Sequence, residues 1–204
     1  MSISSPLMQQ INHSIIDDLA EHGWSHQRDF LSPELTLALA AQCRANAAAG
    51  NLIAAGVGRG TERTVQQGIR GDHIQWLEAG QSDPTDQFLQ IIEQLRCRLN
   101  QELYLGLEEV ECHFALYPPG AFYQKHVDRF HDDDHRVVSM VIYLNQDWLP
   151  EHGGALRLYP EGEPERDILP LGASLVLFLS AALPHEVLAA TRERLSLTGW
   201  FRRR

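Results

Sequence analysis

His126, Val127 and Asp128 stand together in the second half of the chain, and His185 and Arg194 follow far downstream. Two imidazoles and one carboxylate are a donor set that holds a redox-active ferrous ion on one face and leaves its other positions open to dioxygen. On a strand, residues two apart point to the same side, so His126 and Asp128 would converge while Val127 faces away. The Arg194 guanidinium adds a second capability, because its planar fork can anchor the far carboxylate of a dicarboxylic cosubstrate. An HxD pair alone is a weak motif. A distal histidine at a strand start, followed by that arginine, strengthens it and points to an oxygen-using enzyme.

The elements that must position these residues change character along the chain. In the first half, Leu7, Ile11, Ile15, Ile16 and Leu19 recur at helical spacing up to Gly23. Ser32-Pro33-Glu34 is a helix start with a capping hydroxyl, and Gly50 is its expected stop. A third helix is predicted from about Pro84 to Tyr104, with Phe88, Ile91, Ile92, Leu95 and Leu99 on one stripe. Between the second and third helices, glycines at 50, 56, 58, 60, 68 and 71 mark a long connection that is either mobile or functional.

From Glu109 onward short β-like runs alternate with turns. VECHFALY, AFYQKHVD, RVVSMVIYLN, GALRLYP, ASLVLFL, HEVLAA and RLSLTGWF are the candidate strands. In the last of them Arg194, Ser196, Thr198 and Trp200 alternate with Leu195, Leu197 and Gly199, so one face is polar and the other apolar or bare. That polar face either meets solvent or lines a site, since burying it unpartnered would cost several kcal/mol (roughly 2–7 for the neutral groups). Helices first and punctuated strands afterwards predict an α+β fold, with a sandwich or barrel carrying helices on one sheet.

Composition narrows the function classes. The chain has 204 residues, 44% of them hydrophobic, which suits one globular domain with a full core. A formal net charge of −10 argues against nucleic-acid binding by bulk charge. Cys43, Cys97 and Cys112 are far apart and odd in number, consistent with buried, reduced thiols and a cytoplasmic setting. No signal peptide or membrane span is expected from the sequence.

With these residues on the page, the chain resembles the EGL-nine/SM-20-like prolyl hydroxylases of the prolyl 4-hydroxylase superfamily, which are 2-oxoglutarate and Fe(II)-dependent oxygenases. The resemblance runs from about Gly68 to Phe201 and rests on IRGDHIQWLE, YPPGAFYQKHVD, VIYLNQDW, GGALRLYPEG, PHEV and RLSLTGWF. It implies a double-stranded β-helix, a jelly-roll or cupin-like barrel, as a single dioxygenase domain over residues 1–204. Residues 1–107 would be mostly helical support with a glycine-rich substrate loop at 50–72, and residues 108–204 the catalytic barrel.

The resemblance also implies roles. His126, Asp128 and His185 become iron ligands. Arg194 pairs with the C5 carboxylate of 2-oxoglutarate, helped by Tyr143 and Thr198, and Tyr117 reaches its metal-binding end. Arg70, Asp72, Trp76, Tyr123, Arg136 and Trp200 match positions near a peptide-substrate entrance. The implied reaction consumes O2 and 2-oxoglutarate, releases succinate and CO2, and hydroxylates a prolyl residue in an exposed loop of a partner protein. Ascorbate is the implied reductant of stray ferric ion. The run RFHDDDHR departs from the pattern in its acidity, and the chain stops at Arg204 just after the last strand.

Other readings stand beside this one. His131 and His135 with Asp132, Asp133 and Asp134 form either a second metal site or a solvated loop. His113 is a strand residue of undetermined facing. A hydroxylase of a small molecule or free amino acid, or a non-catalytic metal-binding sensor barrel, are the alternatives to a protein hydroxylase.

Overall fold

A computed structural model describes residues 6–56, 66, 68–128 and 135–203, with side chains from His13 onward. The calls on Leu7, Ile11 and His131, most of the glycine-rich stretch (57–65 and 67) and the acidic run at 129–134 therefore lie outside the described residues or side chains.

Three helices form where capping and periodicity predict them. Helix α1 (Pro6–His22) stops at Gly23, whose φ of 74° is the left-handed region that glycine enters freely. Helix α2 (Pro33–Ala48) starts with the Ser32 hydroxyl accepting from the Leu35 amide at 3.2 Å. Its buried Leu35, Leu39 and Cys43 recur every four residues. Helix α3 (Asp83–Leu103) is capped by Ser82 and buries Phe88, Ile92, Leu95 and Leu99, with Ile91 partly buried beside them.

The strands are β1 (Trp24–Gln27), β2 (Ile53–Ala54), β3 (His73–Trp76), β4 (Glu109–Tyr117), β5 (Tyr123–His126), β6 (Arg136–Tyr143), β7 (Leu156–Leu158), β8 (Arg166–Ile168), β9 (Leu175–Leu179), β10 (His185–Val187) and β11 (Arg194–Arg202). They build two antiparallel sheets. The larger has the order β1-β9-β6-β11-β4-β3-β2 and the smaller β5-β10-β7-β8. This is the α+β double-stranded β-helix expected from the sequence. The first half carries the three helices, and it also contributes the short strands β1, β2 and β3. These segments of two to four residues are too short to establish a period, and β1 and β2 occupy sheet edges, where a longer neighbour defines the strand.

Strand β11 lies between β4 and β6 and divides the molecule. Leu195, Leu197 and Phe201 are fully buried on the side shared with the helices, together with Phe88, Ile92 and Leu99. Arg194, Ser196 and Trp200 are also buried, on the opposite side. The polar face of this strand is thus an interior wall, not a solvated one. No helix among the described residues is long and apolar enough to cross a membrane. Cys43 and Cys112 are buried, and burial pushes both thiols up to about 12. Cys97 is exposed, contrary to the expectation of three buried thiols, because it lies off the apolar stripe of α3.

Gly199 shows how closely β11 and β4 are packed. A Cβ there would sit 2.6 Å from both the Cys112 Cβ and the Glu111 carbonyl oxygen. Gly199→Ala should destabilise the protein by about 1–3 kcal/mol through overpacking, seen as a lower urea midpoint with an unchanged slope.

Candidate active site

His126 is the last residue of β5 and His185 the first of β10, and the two are direct cross-strand partners. Asp128 lies two residues past the end of β5, in a bend. The expectation that Asp128 continues the strand is therefore corrected, although the carboxylate still converges. Its Oδ1 is 3.4 Å from His126 Nε2 and its Oδ2 3.7 Å from His185 Nε2. Among the described residues this is the one group of three metal-type donors, with candidate ligand atoms within 4.8 Å of one another.

The surrounding atoms orient each donor. His126 Nδ1 lies 2.7 Å from the Gln124 carbonyl and His185 Nδ1 3.1 Å from that of Leu183. A carbonyl only accepts, so each Nδ1 carries the hydrogen and each Nε2 keeps its lone pair for the centre. The Tyr123 ring stacks on His126 at 3.7 Å and Phe178 packs against His185 at 4.5 Å. Ser139 donates to Asp128 Oδ2 at 2.6 Å and is itself paired with Ser180. Burial alone would raise the Asp128 carboxyl, but His185, His126 and the Ser139 hydroxyl hold it well below the usual carboxylate range. Burial, opposed by Asp128, leaves the His185 imidazole below its ordinary value.

Arg194 defines the other end of the site. Its residue is 2% exposed, its Nε donates to the Gly154 carbonyl at 3.0 Å, and its Nη2 reaches the Tyr143 hydroxyl at 3.4 Å. Its guanidinium carbon lies 5.0 Å from the ring centres of both Tyr117 and Tyr143. No carboxylate pairs with it among the described residues. Gly154 permits this approach, since a Cβ there would meet the Ala190 Cβ at 2.8 Å. Asn145 fixes the backbone beside Arg194: its Nδ2 donates to Leu195 O and Pro170 O, and its Oδ1 accepts from Leu195 N. The Ser196 hydroxyl, on the same interior face, is buried without a hydrogen-bond partner.

One cavity of about 460 Å³ joins the two ends. His126, Asp128, His185, Arg194, Tyr117 and Thr198 line it, with Tyr143 behind Arg194. Arg70, Asp72, Trp76, Tyr123, Arg136 and Trp200 line it as well. Arg70 makes a bidentate contact with the buried Asp72 at 2.6 and 2.9 Å, and its guanidinium lies 4.9 Å from the Tyr123 ring centre. Arg136 stacks 3.5 Å from the Trp200 ring centre and also donates to Glu111.

Sequence reasoning missed Ser139, Asn145 and Ser180 as supports, since a lone hydroxyl or amide carries no spacing signal. It also left open His113, which is 1% exposed, faces the cavity and packs between Trp76 and Trp200.

The comparisons with known proteins agree with this geometry. A family model described as the 2OG-Fe(II) oxygenase superfamily matches residues 112–202. A crystal structure of a Pseudomonas putida prolyl-4-hydroxylase is 54% identical, covers 95% of this chain and 100% of its own, and superposes with a TM-score of 0.89. A Trichoplax adhaerens prolyl hydroxylase in complex with a hypoxia inducible factor oxygen degradation domain peptide fragment is 26% identical. It covers 99% of this chain and 94% of its own, with a TM-score of 0.88. The mouse prolyl hydroxylase EGLN3 is 32% identical over 141 residues, 65% of this chain and 59% of that protein, so the match spans less than two thirds of this relative. The chain belongs to the 2OG-Fe(II) oxygenase superfamily, in its prolyl hydroxylase branch.

The buried histidines make stability depend on pH. Burial lowers His113 from 6.5 to about 4. The unfolded chain therefore takes up a proton below about pH 6.5 that the folded one refuses until about pH 4. Stability should be full above that window and fall as pH drops through it, by on the order of 3 kcal/mol for this one group. Urea titrations of the metal-free protein across the window check this, and His113→Gln should flatten the slope.

Proposed function

We propose that the protein is an Fe(II)- and 2-oxoglutarate-dependent dioxygenase that hydroxylates a prolyl residue in a partner protein. The observation that carries this reading is a buried guanidinium with no anionic partner among the described residues, set in the same cavity as a His-Asp-His cluster. An uncompensated buried cation is costly, and a dicarboxylate entering the cavity would supply the missing anion. The donor set also fits ferrous iron, with two imidazoles whose lone pairs are free and one carboxylate held ionised.

His126, Asp128 and His185 would hold Fe(II). The bound metal would supply activation of O2 coupled to decarboxylation of 2-oxoglutarate to succinate and CO2. Arg194 would pair with the C5 carboxylate, with the Tyr143 hydroxyl donating to it. Burial raises the Tyr143 and Tyr117 phenols above their ordinary value, so both stay protonated and able to donate. Thr198 lies on the same wall as Arg194, and Tyr117 would face the metal-binding end of the cosubstrate. At the other end, Trp76, Tyr123, Arg136 and Trp200 would surround a pyrrolidine ring, with the Arg70–Asp72 pair bracing Tyr123. Trp76 and Val127 are 37% and 42% exposed, and such an apolar rim suits a polypeptide segment. The Trichoplax relative with its bound peptide supports that substrate class. Ascorbate as reductant and a cytoplasmic location belong to the same reading.

Succinate formation from 2-oxoglutarate should require Fe(II) and vanish in His126→Ala. Arg194→Ala should weaken the cosubstrate roughly 100-fold, as expected for truncating one partner of a buried charge pair. Proteins from cells with active and inactive enzyme can then be compared by mass spectrometry for proline that gains one oxygen. Absence of succinate from the iron-loaded enzyme, with or without proline peptides, would sink the oxygenase reading. Unchanged proline hydroxylation across the proteome would remove the protein substrate.

A further inference from the structure

His113 is a buried imidazole that the roles above leave unused. It lies on the interior face of β4, paired in register with Thr198 of β11, one same-face position from the Trp200 row and two from the Arg194 row. Trp76 meets it edge-on at 5.0 Å and 82°, and Trp200 lies 5.7 Å away. Its Nδ1 is 3.0 Å from the Phe114 carbonyl oxygen. A carbonyl cannot donate, so Nδ1 carries the hydrogen. Burial and the nearby Arg70 and Arg136 keep the ring neutral down to about pH 4. The remaining nitrogen, Nε2, therefore holds a lone pair and has no partner among the described residues, while the residue lines the cavity. The neighbouring walls are mainly indole and guanidinium groups, which hold an apolar ring or an acceptor. Of the other acceptors here, the Asp72 and Glu111 carboxylates are already engaged by Arg70, Arg136 and Arg202, which leaves the Thr198 hydroxyl beside His113.

We propose that His113 Nε2 is a hydrogen-bond acceptor for the bound substrate, reading the backbone N–H on the carboxyl side of the target proline. The inference rests on the prolyl-hydroxylase reading and adds a specificity residue to it. An unprotonated imidazole nitrogen can only accept, which selects a donor. Proline has no N–H of its own, so the nearest backbone donor is that of the residue that follows it. An acceptor fixed in tautomer by Phe114 discriminates strongly, because a ligand lacking the donor leaves it buried and unpaired.

The test uses full-length, iron-loaded enzyme and the single-proline synthetic peptide that best stimulates succinate formation, with a twin N-methylated at the residue after proline. Wild-type enzyme should use the twin about ten-fold less efficiently, the scale of one neutral hydrogen bond. His113→Asn keeps a donor near the Phe114 carbonyl but withdraws the distal acceptor. It should raise the peptide KM about ten-fold, leave kcat and the KM for 2-oxoglutarate nearly unchanged, and no longer distinguish the twin. His113→Gln reaches the Nε2 position and should restore both discrimination and KM. Equal losses in the Asn and Gln variants, or rescue by Asn alone, would assign His113 a structural role and overturn the proposal. An undiminished penalty for the twin in His113→Asn would overturn it as well, and that comparison survives a modest folding defect. Succinate formation that no proline peptide stimulates would instead remove the prolyl-hydroxylase reading, and this inference with it.

Discussion

Everything in the molecule leans on the two-sided burial of strand β11. Its leucines and Phe201 close the apolar core beneath three helices, while Arg194 and Ser196 face inward from the same backbone. Burying a guanidinium is expensive, and the hydrogen bonds that it donates to the Gly154 carbonyl and the Tyr143 hydroxyl only partly offset the loss of water. The helices behind the sheet supply the apolar burial against which that cost is carried. A one-residue slip of β11 would put Leu195 in the cavity and Arg194 in the helical core. Nine paired positions with β4 and the shared register with β6 oppose such a slip.

The metal-type cluster is built by different means, from a short pairing and a bend. His126 and His185 need only the meeting of β5 with β10 to come together, and carbonyl groups then choose their tautomers. Asp128 needs the hydroxyl of Ser139, which comes from the larger sheet. The cluster is therefore where the two sheets are chemically joined. Its carboxylate remains ionised although mostly buried, which suits a cation and would be unfavourable without the two imidazoles and Ser139.

What could be read from the sequence follows from how far each signal extends along the chain. The helices were legible from Ser32-Pro33 and from the stripe of Phe88, Ile92, Leu95 and Leu99, because capping and periodicity are local. The late strands were legible from alternation and intervening turns, and the mixed face of β11 was visible residue by residue. Strands β1, β2, β3 and β8 were not, since their two to four residues take their conformation from partners distant in sequence. The triad and Arg194 were named from residue type and order, but the bend that carries Asp128 depends on where β5 stops pairing. Ser139, Asn145, Ser180 and His113 became meaningful only through contacts made across strands.

The division of labour between the sheets has a consequence for size. The His126–His185 pair belongs to the smaller sheet and Arg194 to the larger, and facing sheets of a sandwich stand roughly 10 Å apart. A molecule that touches both ends must match a span that neither sheet can adjust alone. In the proposed reading the sandwich is a length gauge. A five-carbon diacid would bridge it, while a shorter one would leave either the guanidinium or the metal unsatisfied. Cosubstrate selection would then reside in the thickness of the fold as much as in any one side chain.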